Sequence, residues 1–147
     1  MKPRTAALAM LAAMGVSLFP SQEAQQERSV WDGVYTEDQA ERGQPLYRKE
    51  CGVCHGDLLT GGEMAPPLAG GDFLANWNGL TVGDLVERIR KTMPPNKPGK
   101  LSRTAHADIT AFLLKANEFP AGETELSGRT ELLQMIRIGM TKPDRNK

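Results

Sequence analysis

The feature that most constrains this chain is a short stretch in which two cysteines, two residues apart, are followed directly by a histidine. The stretch reads Cys51-Gly-Val-Cys54-His55. Its cysteines are the only two among 147 residues. No cysteine remains for a structural disulfide elsewhere, so both thiols belong to one local site.

Three kinds of site use a Cys-x-x-Cys pair. A thiol–disulfide switch follows a strand in an alternating α/β chain, and no strand pattern occurs here. A zinc site needs two further ligands, but His106 is the only other histidine. In c-type haem attachment, two thiols at this spacing add to vinyl groups and the adjacent histidine ligates iron. We therefore predict one covalent haem c, attached at Cys51 and Cys54, with His55 as an iron ligand.

The composition agrees with a buried cofactor. Aromatic residues make up only 5% of the chain, which also contains 15 glycines and 10 prolines. Side chains alone therefore provide little material for a core, and a large prosthetic group would supply the rest. The 18 basic and 18 acidic residues cancel, so no net field attracts nucleic acid or an anionic membrane.

Residues 1–24 have the features of an export signal: Lys2 and Arg4 precede an apolar run from 6 to 19. We expect an exported, periplasmic protein that is anchored to the membrane only if this segment is retained. Residues 25–35 are predicted to be a polar linker whose end Trp31 and Tyr35 anchor. We predict one haem-binding domain over 36–122. A C-terminal extension follows over 123–147, with a short helix and a frayed tail.

Helical periodicity predicts an all-α fold with three to four helices and long loops. The first helix is capped by Thr36 and Gln39, and Pro45 should kink it or make it restart near Gln44. Residues 56–79 are predicted to be a long loop. A second helix follows Thr81 and ends before Pro94, a third follows Ser102, and a fourth is predicted from Leu132, Leu133 and Ile136.

From about residue 39 to 118 the chain resembles the class I c-type cytochromes. The matching features are Gly43 and Tyr47, the cysteine–histidine motif, and Pro66-Pro67-Leu-Ala-Gly. The resemblance implies a small cytochrome c fold around one covalent haem, with the first helix contacting the last through Gly43 and Tyr47. It also implies that a carbonyl of Pro66 or Pro67 accepts the His55 ring N–H, which fixes the tautomer. A simple turn is the alternative interpretation of the two prolines.

The second axial ligand is sought among four methionines outside the export signal. Met93 precedes two prolines and lies 38 residues after His55 (93 − 55), enough chain to pass round the haem edge. Met64 lies only nine residues after it (64 − 55). Met135 and Met140 fit core positions on the fourth helix. Met93 is the preferred ligand.

Two aromatic residues, Trp77 and Tyr47, are expected near the porphyrin. The Trp77 indole would donate to a propionate or would simply cover the small core. With both axial positions filled, substrates have no access to iron, which favours a single-electron carrier over an enzyme.

Two alternatives stay open. One is a five-coordinate haem sensor or haem enzyme in which Met93 is only structural; it needs a distal polar group, and His106 is expected to face solvent. The other is a structural haem domain that anchors a larger complex through its C-terminal extension.

Redox partners are predicted from the charge distribution. Residues 86–103 contain one acidic residue and six basic ones, namely Arg88, Arg90, Lys91, Lys97, Lys100 and Arg103. This run either docks an acidic partner or is a solvated helix face. Two sequence segments resemble c-type domains that accompany quinoprotein alcohol dehydrogenases. They read Gly-Gly-Asp-Phe-Leu-Ala-Asn-Trp and Thr-Met-Pro-Pro. That similarity implies an exported dehydrogenase as donor and an oxidase or other respiratory-chain component as acceptor.

Overall fold

A computed structural model describes residues 27–144, so the predicted export signal lies outside the described part. The predicted all-α class is confirmed, because helices account for most of the regular structure. The helices are α1 (Glu37–Glu50), α2 (Gly52–His55), α3 (Gly71–Trp77), α4 (Val82–Thr92), α5 (Arg103–Ala116) and α6 (Thr130–Leu133). A 3₁₀ turn covers Val30–Asp32, and two short strands, β1 (Arg28–Ser29) and β2 (Ile136–Arg137), form a parallel pair.

Helix α1 begins at its predicted cap, where the Thr36 hydroxyl accepts a hydrogen bond from the Gln39 N–H at 3.2 Å. The helix continues through Pro45 and does not restart at Gln44. Proline leaves the carbonyl four residues earlier without its usual donor. Here Pro45 and Glu41 are both exposed, so water can satisfy that carbonyl and the helix is not interrupted.

Helices α4 and α5 follow the sequence prediction closely. Thr81 and Asp84 form a reciprocal capping box at the start of α4, which ends at Thr92 before Met93 and Pro94. The Ser102 hydroxyl accepts from the Ala105 N–H at the start of α5. Capping residues and an apolar period occur together at both helices, which explains why both were predictable.

The long loop predicted over residues 56–79 is wrong at its second half, where helix α3 forms. Gly70 caps this helix without a side-chain hydrogen bond, and its seven residues span only two turns. Neither a cap signal nor a sustained period is present at that length, so the sequence pattern gives no indication of it. The Phe73 side chain of α3 is buried in the protein interior.

Residues 27–35, predicted as part of a polar linker, pack into the core, and Trp31 and Tyr35 anchor this segment as expected. Val30, Val34 and Tyr35 are at most 2% exposed, and the Tyr35 hydroxyl donates to the Phe119 carbonyl at 2.6 Å. Trp31 packs edge-on against Phe119, with ring centroids 5.0 Å apart. The segment therefore belongs to the core, although its polar composition conceals the few apolar residues that do the packing.

The C-terminal extension packs against the same core rather than standing apart. Helix α6 is a single turn that ends at Leu133, and the Ile136 assigned to a fourth helix lies in β2 instead. Met135 and Met140 consequently lie outside any helix, and Met140 is 48% exposed. Strand β2 pairs with β1, so segments near the two ends of the described chain lie side by side.

Two apolar clusters make up the interior. The first joins α3, α4, α5 and both terminal segments. The second lies between α1 and α5 and is built on Tyr47, Leu59, Ile109, Phe112 and Leu113. Among residues 27–144, no helix has the length and hydropathy required to cross a bilayer.

Candidate haem site

The cysteine–histidine motif forms one tight turn at the end of α1. The Cys51 carbonyl accepts from the backbone N–H groups of Cys54 and His55, at 3.1 and 3.0 Å. Cys51 is half-buried, Cys54 is exposed, and no disulfide joins them. Burial, reinforced by the Glu50 charge, raises the pKa of the Cys51 thiol to about 11. A reactive disulfide switch needs a thiol that ionises easily, so this environment argues against that interpretation of the pair.

The proximal histidine is oriented by the proline loop. His55 is buried, and its Nδ1 lies 2.8 Å from the Pro66 carbonyl oxygen. A carbonyl can only accept, so Nδ1 carries the proton and Nε2 keeps its lone pair for a metal. Of the two prolines left open by the sequence, Pro66 occupies this position.

Tyr47 supports the other end of the motif. Its hydroxyl donates to the Gly56 carbonyl at 2.8 Å, and burial raises its pKa to about 12. The ring lies 5.2 Å from that of Phe112 on α5, so the partner of the first helix at this contact is the last long helix, α5, and not the single turn α6. The Tyr47 hydroxyl is thus engaged with the backbone directly after His55.

Two residues that hold the proline loop were missed in the sequence. Gly61, with φ +75°, allows a turn so tight that a Cβ there would lie 2.7 Å from the Ala65 carbonyl oxygen. Asn117, at the end of α5, donates to the Leu68 carbonyl and accepts from the Gly70 N–H, both at 3.0 Å. Their only signals are a glycine in a turn and an asparagine at a helix end, and neither indicates its partner.

The second core cluster supplies an apolar wall beside the motif. Cys51 packs against it, together with other half-buried apolar residues, namely Leu46, Leu68, Ala69, Ile89, Leu101 and Ala116. Half-buried apolar side chains, two free thiols and an oriented imidazole are the groups that a covalently attached porphyrin needs. Among residues 27–144, no group of three or more His, Cys, Asp or Glu side chains is placed to hold a bare metal ion. The thiols, the oriented imidazole and the apolar wall together fit haem.

The methionines differ in their surroundings. Met93 is half-buried and caps the C-terminal end of α4, where its N–H donates to the Ile89 carbonyl at 2.8 Å. Met64 is 95% exposed. Met135 is half-buried. It lies beside β1, where its carbonyl accepts from the Arg28 N–H.

The contacts of Trp77 and His106 are with residues outside the cysteine–histidine motif. A contact between Trp77 and a propionate stays a prediction. Trp77 packs against the first cluster beside Phe73, with ring centroids 6.2 Å apart. The expectation that His106 faces solvent is wrong: it is 2% exposed, and its Nδ1 lies 2.9 Å from the Ser102 carbonyl oxygen. Residues 106–114 of α5 are all buried, because other segments cover this helix on several sides.

The basic run is only partly free. Arg90 and Lys91 both pair with Glu87 on the same helix, and Lys100 pairs with Glu50 at the end of α1. Arg88, Lys97 and Arg103 are exposed and belong to none of the ion pairs found among residues 27–144. The positive charge available for docking is therefore smaller than the sequence count suggests.

Comparisons with known proteins agree with this site. Residues 38–113 match the family described as cytochrome c oxidase, cbb3-type, subunit III. Thiosulfate dehydrogenase of Stutzerimonas stutzeri (strain A1501) is 31% identical over an alignment of 97 residues, and the match covers 61% of this chain. The matched part is 31% of that protein, so the chain spans only about a third of this relative.

A solved structure, the sulfane dehydrogenase SoxCD from Paracoccus pantotrophus, superposes with a TM-score of 0.51 at 22% identity. The superposition covers 90% of this chain and 72% of the SoxCD chain, and it shows similarity of fold. The family match extends from the start of α1 almost to the end of α5 and includes the whole haem motif. The chain accordingly belongs to the cbb3-type subunit III family of c-type cytochromes and binds one covalent haem c.

Proposed function

We propose that this cytochrome is a single-electron carrier in which His55 and Met93 are the two axial ligands. Haem-based electron transfer is the function of its family, and haem c supplies a one-electron iron couple when bound. Two protein ligands leave no open position on iron for a substrate. The proposal therefore distinguishes a carrier from a haem enzyme or a gas sensor.

The position of Met93 is the observation that carries this proposal. Met93 follows Ile89 by one helical turn, and Ile89 packs against the same cluster as Cys51. Pro94 and Pro95 follow directly and restrict the backbone that presents the thioether. The methionine that is closest in sequence to His55, Met64, has nearly its whole side chain in solvent.

Absorption spectra of the haem-loaded protein test the ligand pair. The oxidised protein should show the near-infrared band of methionine-bound ferric haem, and the reduced protein should bind carbon monoxide poorly. Met93→Ala should abolish the band and open iron to carbon monoxide, whereas Met64→Ala and Met135→Ala should keep the native spectrum. A native protein without the band that binds carbon monoxide tightly would instead have an open iron.

We also propose an exported location and an exported dehydrogenase as donor, with a respiratory-chain component as acceptor. The export features of residues 1–24 support the location. The relatives named thiosulfate dehydrogenase and sulfane dehydrogenase support a dehydrogenase donor in general terms. Fractionation of cells that express the full chain tests the location, with haem peroxidase staining of the periplasmic fraction as the readout.

Arg88 and Lys97 are the proposed docking charges, since they are exposed, outside the ion pairs described above and within five residues of Met93 in the sequence (93 − 88 and 97 − 93). Oxidation of the reduced protein by ferricyanide, a small anion, reports the local charge without requiring the natural partner. The rate should fall with added salt, and Arg88→Glu with Lys97→Glu should weaken that dependence. Arg129→Glu, a reversal outside this basic run, is the control. Equal slopes for all variants would remove the docking proposal.

A further inference from the structure

An ion pair connects the segment after Met93 to the haem-attachment end of α1. The Lys100 ammonium contacts the Glu50 carboxylate. Glu50 is the last residue of α1 and immediately precedes Cys51. Lys100 lies between Met93 and the start of α5, in a stretch whose residues from 95 to 100 are all exposed.

The surroundings of the pair make the carboxylate dependent on this lysine. The Glu50 side chain is only 9% exposed, whereas that of Lys100 is 30% exposed. The other nearby cation, Lys49, is 3.9 Å from the carboxylate and 78% exposed, so it is a weak and well-hydrated partner. A nearly buried carboxylate that loses its partner keeps the cost of desolvation without compensation.

A neighbouring apolar contact acts in the same direction. Leu101, the next residue, packs against the second core cluster together with Cys51. The exposed stretch is therefore anchored at its end by an ionic contact with Glu50, the neighbour of Cys51, and by an apolar contact with the second core cluster. Since Met93 is at the other end of this stretch, these contacts limit how far the backbone after Met93 can move.

The other ion pairs of this region provide a contrast. Arg90 and Lys91 pair with Glu87 on the same helix, α4, so they do not connect two segments. Their loss should leave the stretch after Met93 in place. They are matched controls for charge and for proximity to Met93.

We infer that Glu50 and Lys100 are positioning residues: their ion pair holds the segment after Met93 against the end of α1 and so keeps the Met93 thioether on iron. This inference rests on the proposed His55 and Met93 ligation. Neither residue touches the reacting atoms, because both act through the backbone that presents the methionine.

Binding of imidazole to the oxidised haem protein measures the effect, since imidazole competes with the methionine for iron. Lys100→Met should raise the apparent imidazole affinity about tenfold and weaken the near-infrared band. Glu50→Gln should also raise the affinity but by less, because the glutamine carbonyl oxygen can still accept a hydrogen bond from the Lys100 ammonium. The conservative Lys100→Arg and the exchanged pair, Glu50→Lys with Lys100→Glu, should restore near-native affinity.

The controls separate this positioning role from general damage. Lys91→Met and Glu87→Gln should bind imidazole like the native protein. Urea unfolding of Lys100→Met measures how much of its effect comes from a loss of global stability. If Lys100→Met does not assemble, then Glu50→Gln decides the question. Native imidazole affinity in Lys100→Met, or in Glu50→Gln where Lys100→Met does not assemble, overturns the inference and leaves the ligand proposal standing, provided that the band is still lost in Met93→Ala. Unchanged imidazole affinity in Met93→Ala overturns the ligand proposal and this inference with it.

Discussion

Gly43 of α1 lies directly against the backbone of Asp108 on α5, so closely that a Cβ built on the glycine would be 1.9 Å from the Asp108 carbonyl oxygen. The obstacle is a backbone carbonyl in the middle of a helix, which cannot move aside as a flexible side chain can. The two helices that frame the haem motif therefore cross at a distance that only glycine permits.

Gly43→Ala should destabilise the haem-loaded protein by about 2–3 kcal/mol, because α1 and α5 must separate to admit the methyl group. This loss should exceed the gain from the higher helix propensity of alanine. Urea unfolding followed by circular dichroism measures the change. Gly71→Ala, at a helical glycine with open space around it, is the control and should be close to neutral. Equal stability of the two variants would contradict the close crossing.

Gln39 should be important for attachment of the C-terminal extension. Its side-chain amide donates to the Leu126 carbonyl at 2.9 Å and accepts from the Leu126 N–H at 2.7 Å, in a position that is 1% exposed. Gln39→Leu would leave both backbone groups of Leu126 buried and unpaired, at a cost of about 2–4 kcal/mol. Limited proteolysis should then cleave near residue 126 faster than in the native protein. Gln44→Leu, half-buried on the same helix, should be cleaved at the native rate.

Asn117→Ala should loosen the proline loop and lower stability by about 1–2 kcal/mol. The variant removes the side-chain partner of the Leu68 carbonyl and of the Gly70 N–H. Hydrogen exchange, read by mass spectrometry on the peptide that covers residues 66–72, should be faster than in the native protein. Asn78→Ala removes an exposed hydrogen bond to the Met140 N–H and should leave that peptide unchanged.

Asp84 should make stability dependent on pH. Hydrogen bonds from the Thr81 N–H and hydroxyl lower the pKa of Asp84 below its ordinary value of 3.8. The folded state then holds the proton less tightly than the unfolded state, so the contribution is present above pH 3.8 and is lost as the pH falls towards the folded-state pKa.

Asp84→Ala should therefore cost about 1 kcal/mol at neutral pH, and the difference from the native protein should shrink as the pH drops below the ordinary aspartate pKa. Urea unfolding at a series of pH values provides the comparison. Glu123→Ala, an exposed position, should show a small difference at every pH. A constant difference for Asp84→Ala across the series would mean that the carboxylate charge is not what stabilises the cap.

The chemistry and the main helices were predictable because their causes are local. The spacing from Cys51 to His55 identifies the haem attachment without any knowledge of distant residues. Caps at Thr81 and Ser102, each followed by an apolar period, predict α4 and α5. Covalent attachment, helix capping and amphipathic periodicity all act over a few neighbouring residues, so one sequence contains them completely.

The tertiary structure decided what depends on contacts between distant segments. It placed the Pro66 carbonyl, rather than that of Pro67, against His55. It buried His106 together with Val30, Val34 and Tyr35, and it placed Lys100 against Glu50. Burial and ion pairing depend on which distant segments pack against each other in the folded chain. Composition and local hydrophobic periodicity do not specify those tertiary contacts.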